Sequence, residues 1–550
     1  MGDRSTGSAF SRRQVLTAGA VGLFGAVAMP ALLSGCALGG NTPGSAGIPL
    51  GAELRPPLVR SSTGGRLEGT LTASRATVDV GLGHGVDTFV YDGAMPGPTW
   101  EIRGGDVIGI RLQNNMPPLT SQGTDHHGGS ADEATPGESA APDLTRPHEW
   151  TTTNLHTHGL HVSSTGRQDN PFITIHPRES RVYEIEVPED HPGGLFWYHP
   201  HRHGGVAQQV GGGMAGALIV RGAIDEVPEV AAATEQVMVL QALHLGDDFE
   251  LLDPIPNATR SEAFFPRTQA FWTINGQYRP KITMRRGEVQ RWRILNAAEG
   301  KLASLRLTGH ELHHIAYDGY TLPQPRMVLD TFIAPGGRTE ALVKAGRPGV
   351  YELVLSPGSS QRPSVPGWPQ APSPTQKPGA DGTVSPELVP RVVATIEVLP
   401  DRDDMALPGS LPAFAPPLLP IAAERTVEYT VHRNDRGEFE SFGIDHRPFS
   451  PDNQPYRMHL GTAEQWTVVN AADEGFVHVF HIHVNPFLVT HINGQRLTTP
   501  EWRDTYPLGP HLGDSFTFTM NLDDYAGMTV QHCHVLTHED LGMMEAVEIV

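Results

Sequence analysis

The chain is poor in the residues that would make it a stapled miniature scaffold or a partner of nucleic acid. Only 2 of its 550 residues are cysteine, so at most one disulfide is available and a disulfide-dense framework is excluded. Charged residues make up 18%, and Lys plus Arg number 40 against 61 Asp plus Glu, a net charge of −21. That sign repels phosphate backbones and anionic lipid surfaces, so nucleic acid is not an expected partner. Long apolar runs are scarce as well. The stretch from Ala18 to Leu33 is 16 residues, short of the roughly 20 that a membrane-spanning helix needs. What the chain has in quantity is glycine (61) and proline (48) among 38% apolar residues. That mixture predicts many turns and short strands in a large, mostly β protein, with length enough for about three domains of roughly 150 residues.

Ser11-Arg12-Arg13 precedes the apolar stretch, which closes on Leu33-Ser34-Gly35-Cys36. Paired arginines before a weakly apolar core resemble a twin-arginine export signal. Leu-Ser-Gly-Cys resembles a bacterial lipoprotein cleavage box, which would leave Cys36 lipidated. The expectation is a signal over residues 1–35, a Gly/Pro/Ser-rich tether over 36–65, and an extracytoplasmic body held to the cell membrane only through a lipid.

One pattern recurs three times: Pro98 with Gly105 and Asn114, Pro280 with Gly287 and Asn296, Pro455 with Gly461 and Asn470. The glycine-to-asparagine spacing is nine in every copy, and the prolines lie 182 and 175 residues apart. Apolar or alternating strands fill each interval, as in Trp292-Arg293-Ile294-Leu295 and Trp466-Thr467-Val468-Val469. Each copy also closes on an apolar strand, at 217–220, 394–399 and 546–550. The reading is an all-β chain of three related β-sandwich domains, at 66–225, 226–402 and 403–550, with surface insertions at 116–150 and 356–390.

Histidine is abundant and placed in pairs. The 27 histidines include five His-x-His pairs, at 156/158, 199/201, 201/203, 481/483 and 532/534. They follow the repeated strand in the first and third copies. The second copy carries Leu305 and Leu307 at the matching place, as a spacer without ligands would. Alternate residues of a strand share a face. His532 and His534 therefore point one way and Cys533 the other, while His478, three residues from His481, faces away from it. Cys533 and His478 can then meet, with His538 and Met543 five and ten residues beyond Cys533 closing over the same point. A thiolate, two imidazoles and a weak thioether form the ligand set of a blue-copper electron-transfer centre. Zinc is the competing ion, but its structural sites favour paired thiolates. The opposite face gathers His156, His158, His199, His201, His481, His483, His532 and His534, enough for about three ions of low coordination between the first and third domains.

At these residues the sequence resembles the three-domain multicopper oxidases, the family of laccases and cuprous oxidases, over about residues 66–550. The motifs are H-T-H-G at 156–159, W-Y-H-P-H at 197–201, H-V-F-H-I-H at 478–483 and H-C-H-V-L-T-H-E-D-L-G-M at 532–543. The resemblance implies cupredoxin-like Greek-key domains and four copper ions per chain. His478, Cys533, His538 and Met543 would hold type 1 copper, and His156 and His481 type 2. His158, His199 and His534 would hold one type 3 ion, and His201, His483 and His532 the other. It further implies one-electron oxidation of a reductant at type 1, coupled to reduction of dioxygen to water at the other three. Glu539 matches the family's proton-relay glutamate, and Asp169 resembles its acidic residue behind the cluster.

Other histidines receive plainer readings: His203 as a surface or supporting residue, and His126, His127, His313 and His314 as solvated. The reductant stays open. A laccase-like enzyme would take phenols or aromatic amines, and a metallo-oxidase Cu(I), Fe(II) or Mn(II). With 14 methionines and no methionine-rich insert, the chain lacks one obvious means of holding Cu(I). A copper-free envelope scaffold is disfavoured because every ligand position is filled. Oligomeric state is not legible.

Overall fold

The computed structural model describes residues 51–118, 143–246, 249–252, 270–356, 391–472 and 475–550. The expected export leader with Cys36, and His126 and His127, lie outside the described residues. Among the described residues no helix is long and apolar enough to cross a membrane.

Six sheets follow one another along the chain as three pairs. In the first pair, a four-stranded sheet (Gly85–Tyr91, Arg66–Asp79, Val107–Asn114, Ser180–Glu186) faces a five-stranded one (Val59–Ser61, Thr99–Arg103, Gly216–Arg221, Gly194–His199, His156–His158). The other two pairs each combine six strands with five. Buried side chains from both sheets of a pair share one core: Leu71, Trp100 and Ile110 in the first, Trp292, Leu305 and Ile396 in the second, Val468, Phe480 and Phe518 in the third. The all-β sandwich class is therefore observed.

The repeated asparagine has a physical reason. Each closes a strand that runs parallel to its neighbour, at Val107–Asn114, Val289–Asn296 and Thr462–Asn470. Asn114 Nδ2 donates to the carbonyls of Thr151 and Ile175, Asn296 to Lys301 and Ile333, and Asn470 to Phe476 and Gly509. In each copy Oδ1 accepts the N–H two residues on. A buried amide thus satisfies itself by pinning the segments that cross the end of the sandwich.

Strand order also explains where histidine appears. His156–His158 and His478–Ile482 occupy corresponding places in their five-stranded sheets, next to Gly194–His199 and Gly527–Cys533. The matching strands of the second pair are Ala303–Leu307 and Gly349–Leu355, where Leu305, Leu307, Leu353 and Leu355 fill the core.

Two expectations need correcting. Part of the tether is fixed to the body: the Leu54 N–H donates to Lys281 O at 2.7 Å, Leu54 is buried, and Val59–Ser61 pairs with Thr99–Arg103. Apolar Leu54 gains by joining the second core, which a Gly/Pro count does not register. His314 is buried rather than solvated, with Nδ1 bound to the Tyr317 hydroxyl at 2.7 Å. Its neighbour His313 points the other way and is partly exposed, as alternation on Leu312–Tyr317 requires.

Candidate metal centre

Register between neighbouring strands assembles the site. His156 lies opposite His199, and His481 opposite His532, so two short antiparallel pairings bring eight imidazoles to one seam. Across it His156 stacks on His483 and His158 on His481, each at 3.8 Å between ring centroids. His201 Nε2 stands 3.0 Å from His532 Nε2, and His201, His483 and His532 converge closely enough to share one ion. His534 lies 4.9 Å from His158 and 5.5 Å from His199, ring to ring.

The opposite face of the Cys533 strand forms a second cluster. Cys533 Sγ is 3.7 Å from His478 Nδ1 and 3.7 Å from His538 Nδ1, and the two nitrogens are 3.2 Å apart. Met543 is fully buried beside them, and its carbonyl accepts the Cys533 N–H at 3.0 Å. Phe442 lies 4.1 Å from the His538 ring, and Phe476 5.6 Å. Burial pushes the Cys533 thiol up to about 12, so only a cation at the sulfur makes it a thiolate near neutrality.

Carboxylates and carbonyls grip the imidazoles from behind. His156 Nδ1 donates to Asp169 Oδ2 at 2.9 Å, and Asp169 Oδ1 accepts the Thr157 N–H at 2.9 Å. His481 Nδ1 donates to the Asp504 carbonyl and His199 Nδ1 to Pro200 O, both at 2.8 Å. Glu539, fully buried, places Oε2 2.9 Å from His532 Nδ1 and Oε1 3.7 Å from His201 Nδ1. Burial raises its pKa to about 7. Neighbouring Asp540 is spent structurally, accepting the N–H groups of Gly204 and Ala207 at 2.6 and 2.8 Å where the helix Val206–Gly212 begins.

Sequence motifs gave no hint of Arg338 and Asp504. Arg338, fully buried on the second sandwich, donates to Asp504 Oδ1 and Oδ2 at 2.7 and 2.5 Å and to the carbonyls of Leu195, Gly336 and Asp318. Asp504 Oδ1 in turn lies 3.3 Å from His158 Nε2. The spacer domain is therefore wired into the cluster. Two glycines permit this: a Cβ on Gly159 (φ +87) would fall 2.4 Å from Arg338 Nη2, and one on Gly336 (φ +78) 2.8 Å from the His534 ring.

Family models described as multicopper oxidase match residues 148–224, 247–368 and 420–550. The chain belongs to the multicopper oxidase family. It is 21% identical to a Staphylococcus aureus multicopper oxidase over 87% of this chain and 88% of that one. It is 22% identical to a Bacillus subtilis laccase over 84% and 89%. A multicopper oxidase from Campylobacter jejuni, described as a metallo-oxidase, superposes with TM-score 0.68 at 23% identity, covering 91% of this chain and 96% of that one.

The donor atoms suit the copper this family implies. His156 Nε2, His158 Nδ1, His199 Nε2, His481 Nε2 and both ring nitrogens of His483 and His534 are buried without a hydrogen-bond partner. Each such atom costs about 1–3 kcal/mol unless something meets its lone pair or N–H. Burial, reinforced by neighbouring imidazoles, holds His158, His199, His481, His483 and His534 well below their usual pKa, and burial brings His201 and His532 to about 3. These imidazoles are held neutral and face one another, and His156, His199, His481 and His532 are also gripped from behind, as metal ligands need to be.

Proposed function

We propose that this chain couples one-electron oxidation of a reductant to the four-electron reduction of dioxygen to water. His478, Cys533, His538 and Met543 are proposed to hold one copper, and His156 and His481 a second. His158, His199 and His534 would hold a third, and His201, His483 and His532 a fourth. Copper, when bound, would supply single-electron exchange at the first of these positions and dioxygen reduction at the other three. The observation that carries the reading is the alternation at 532–534: Cys533 Sγ sits among His478 and His538, while His532 and His534 emerge on the other face. An electron received at the sulfur therefore has a short covalent path to both histidines.

The chain's own groups divide the remaining work. Asp169 fixes the tautomer and direction of His156, which makes it a positioning residue. Glu539 is proposed to hold a proton one imidazole away from the cluster, at His532 and His201. Half-buried Phe476 beside His538 gives an aromatic face that suits phenols and aromatic amines, the laccase-like reading. A metal-ion reductant is the second reading, favoured by a histidine pair described below. A copper-free scaffold is the disfavoured reading, since twelve donors would be buried to no purpose. Oxygen uptake tests the proposal, comparing a phenol, an aromatic amine, Cu(I), Fe(II) and Mn(II). Uptake with one class, abolished by Cys533→Ser, is expected; no uptake with any reductant by the copper-loaded protein contradicts it.

A further inference from the structure

Two histidines outside the proposed donor set carry the same signature as the ligands. His203 is 3% exposed, and its Nε2–H donates to Leu144 O at 2.7 Å. His148 donates from Nδ1 to Arg146 O at 2.8 Å. A carbonyl only accepts, so each bond fixes a tautomer and leaves a lone pair on the other nitrogen. Those atoms, His203 Nδ1 and His148 Nε2, are both buried and both without a partner. The two rings are neighbours, 5.9 Å between centroids at 64°. Metal–nitrogen bonds of about 2 Å on either side of an ion fit between rings so spaced.

The surroundings hold this pair in place. The His148 N–H donates to Gly204 O at 2.8 Å, and only glycine suits position 204 (φ +89), where a Cβ would lie 2.4 Å from the His148 ring. Arg202, the adjacent cation, is paired with Glu149 at 3.1 Å, which offsets part of its charge. The His203 ring lies 4.8 Å from Phe449, whose N–H donates to Gly542 O, next to Met543. The pair therefore abuts the segment that carries His538 and Met543.

We propose that His148 and His203 form a docking site for cuprous ion as a reducing substrate, an inference that rests on the oxidase reading above. Two neutral nitrogens are too few for zinc, which takes four ligands. Cu(I) is stable with two ligands in a line, and imidazole suits copper. Each bound Cu(I) gives up one electron and leaves as Cu(II). Four such ions supply the four electrons that one dioxygen takes up with four protons to form two waters.

Silver(I), redox-inert and with the same preference for two ligands, is the probe. Copper-loaded protein titrated with Ag(I) should retain one equivalent, and X-ray absorption at the silver edge should show two nitrogen neighbours. His148→Gln should weaken that retention at least tenfold and raise the KM for Cu(I) at least tenfold with kcat within twofold. His148→Phe, which preserves the ring volume against Gly204, should do the same. No retained silver, silver held equally by both variants, or an unchanged KM for Cu(I) overturns the proposal. Silver retention is read without turnover, so its failure is distinct from failure of the oxidase reading, which shows as a colourless, inactive copper-loaded protein.

Discussion

Replacing Arg338 by methionine tests whether the second sandwich supports the metal cluster. Methionine keeps most of the stem but removes every donor. Five hydrogen bonds go: two to Asp504, and one each to the carbonyls of Leu195, Gly336 and Asp318. Asp504, 2% exposed, keeps only the Thr505 hydroxyl at 2.8 Å as a donor besides His158. Breaking a buried ion pair from one side costs about 3–5 kcal/mol, because the other charge stays buried without compensation. Removing both charges is far less damaging. Denaturant unfolding of the wild type, Arg338→Met, Asp504→Asn and the double variant therefore forms a cycle. The expected coupling is about 2 kcal/mol or more, with the double variant more stable than Arg338→Met. A single-variant loss below about 1 kcal/mol, or strictly additive losses, would refute the reasoning.

Gly336→Ala should unload copper at His534 and bleach the near-ultraviolet absorption of a coupled copper pair, since its Cβ would strike the ring at 2.8 Å; full copper content by metal analysis would count against the placement. Asp169→Ala frees His156 Nδ1 and should weaken copper binding at His156 and His481 about 10–100-fold, measured by chelator competition. An unchanged affinity would remove Asp169 from its positioning role. Met543→Leu conserves core volume and should leave the protein blue with a raised type 1 potential in a redox titration. An unchanged potential would mean that Met543 does not approach the metal.

The clustering of the proposed copper donors was legible because their signal is local. A His-x-His or His-Cys-His tripeptide on a strand fixes its facing by alternation alone, and the structure sorts Cys533 and its flanking histidines accordingly. The three-fold pattern was legible for a similar reason, since the recurring asparagine performs one hydrogen-bonding task within its own domain, 37 to 61 residues along the chain. Arg338 and Asp504 stand 166 positions apart and meet only through sheet packing, so neither had a neighbour to give it away. His203 was legible only as a surface or supporting residue and His148 not at all, because what sets them apart is which nitrogen each carbonyl occupies. Leu54 and His314 were misread from composition, which says nothing of the core a residue joins or the tyrosine it meets.

The alternation at Cys533 is tested most directly by metal analysis with electron paramagnetic resonance on wild type and Cys533→Ser, each loaded with copper. The account predicts four ions and an intense blue band in the wild type, and three ions without that band in the variant. A variant that stays blue, or a wild type that takes up copper without any thiolate-to-copper absorption, would contradict it.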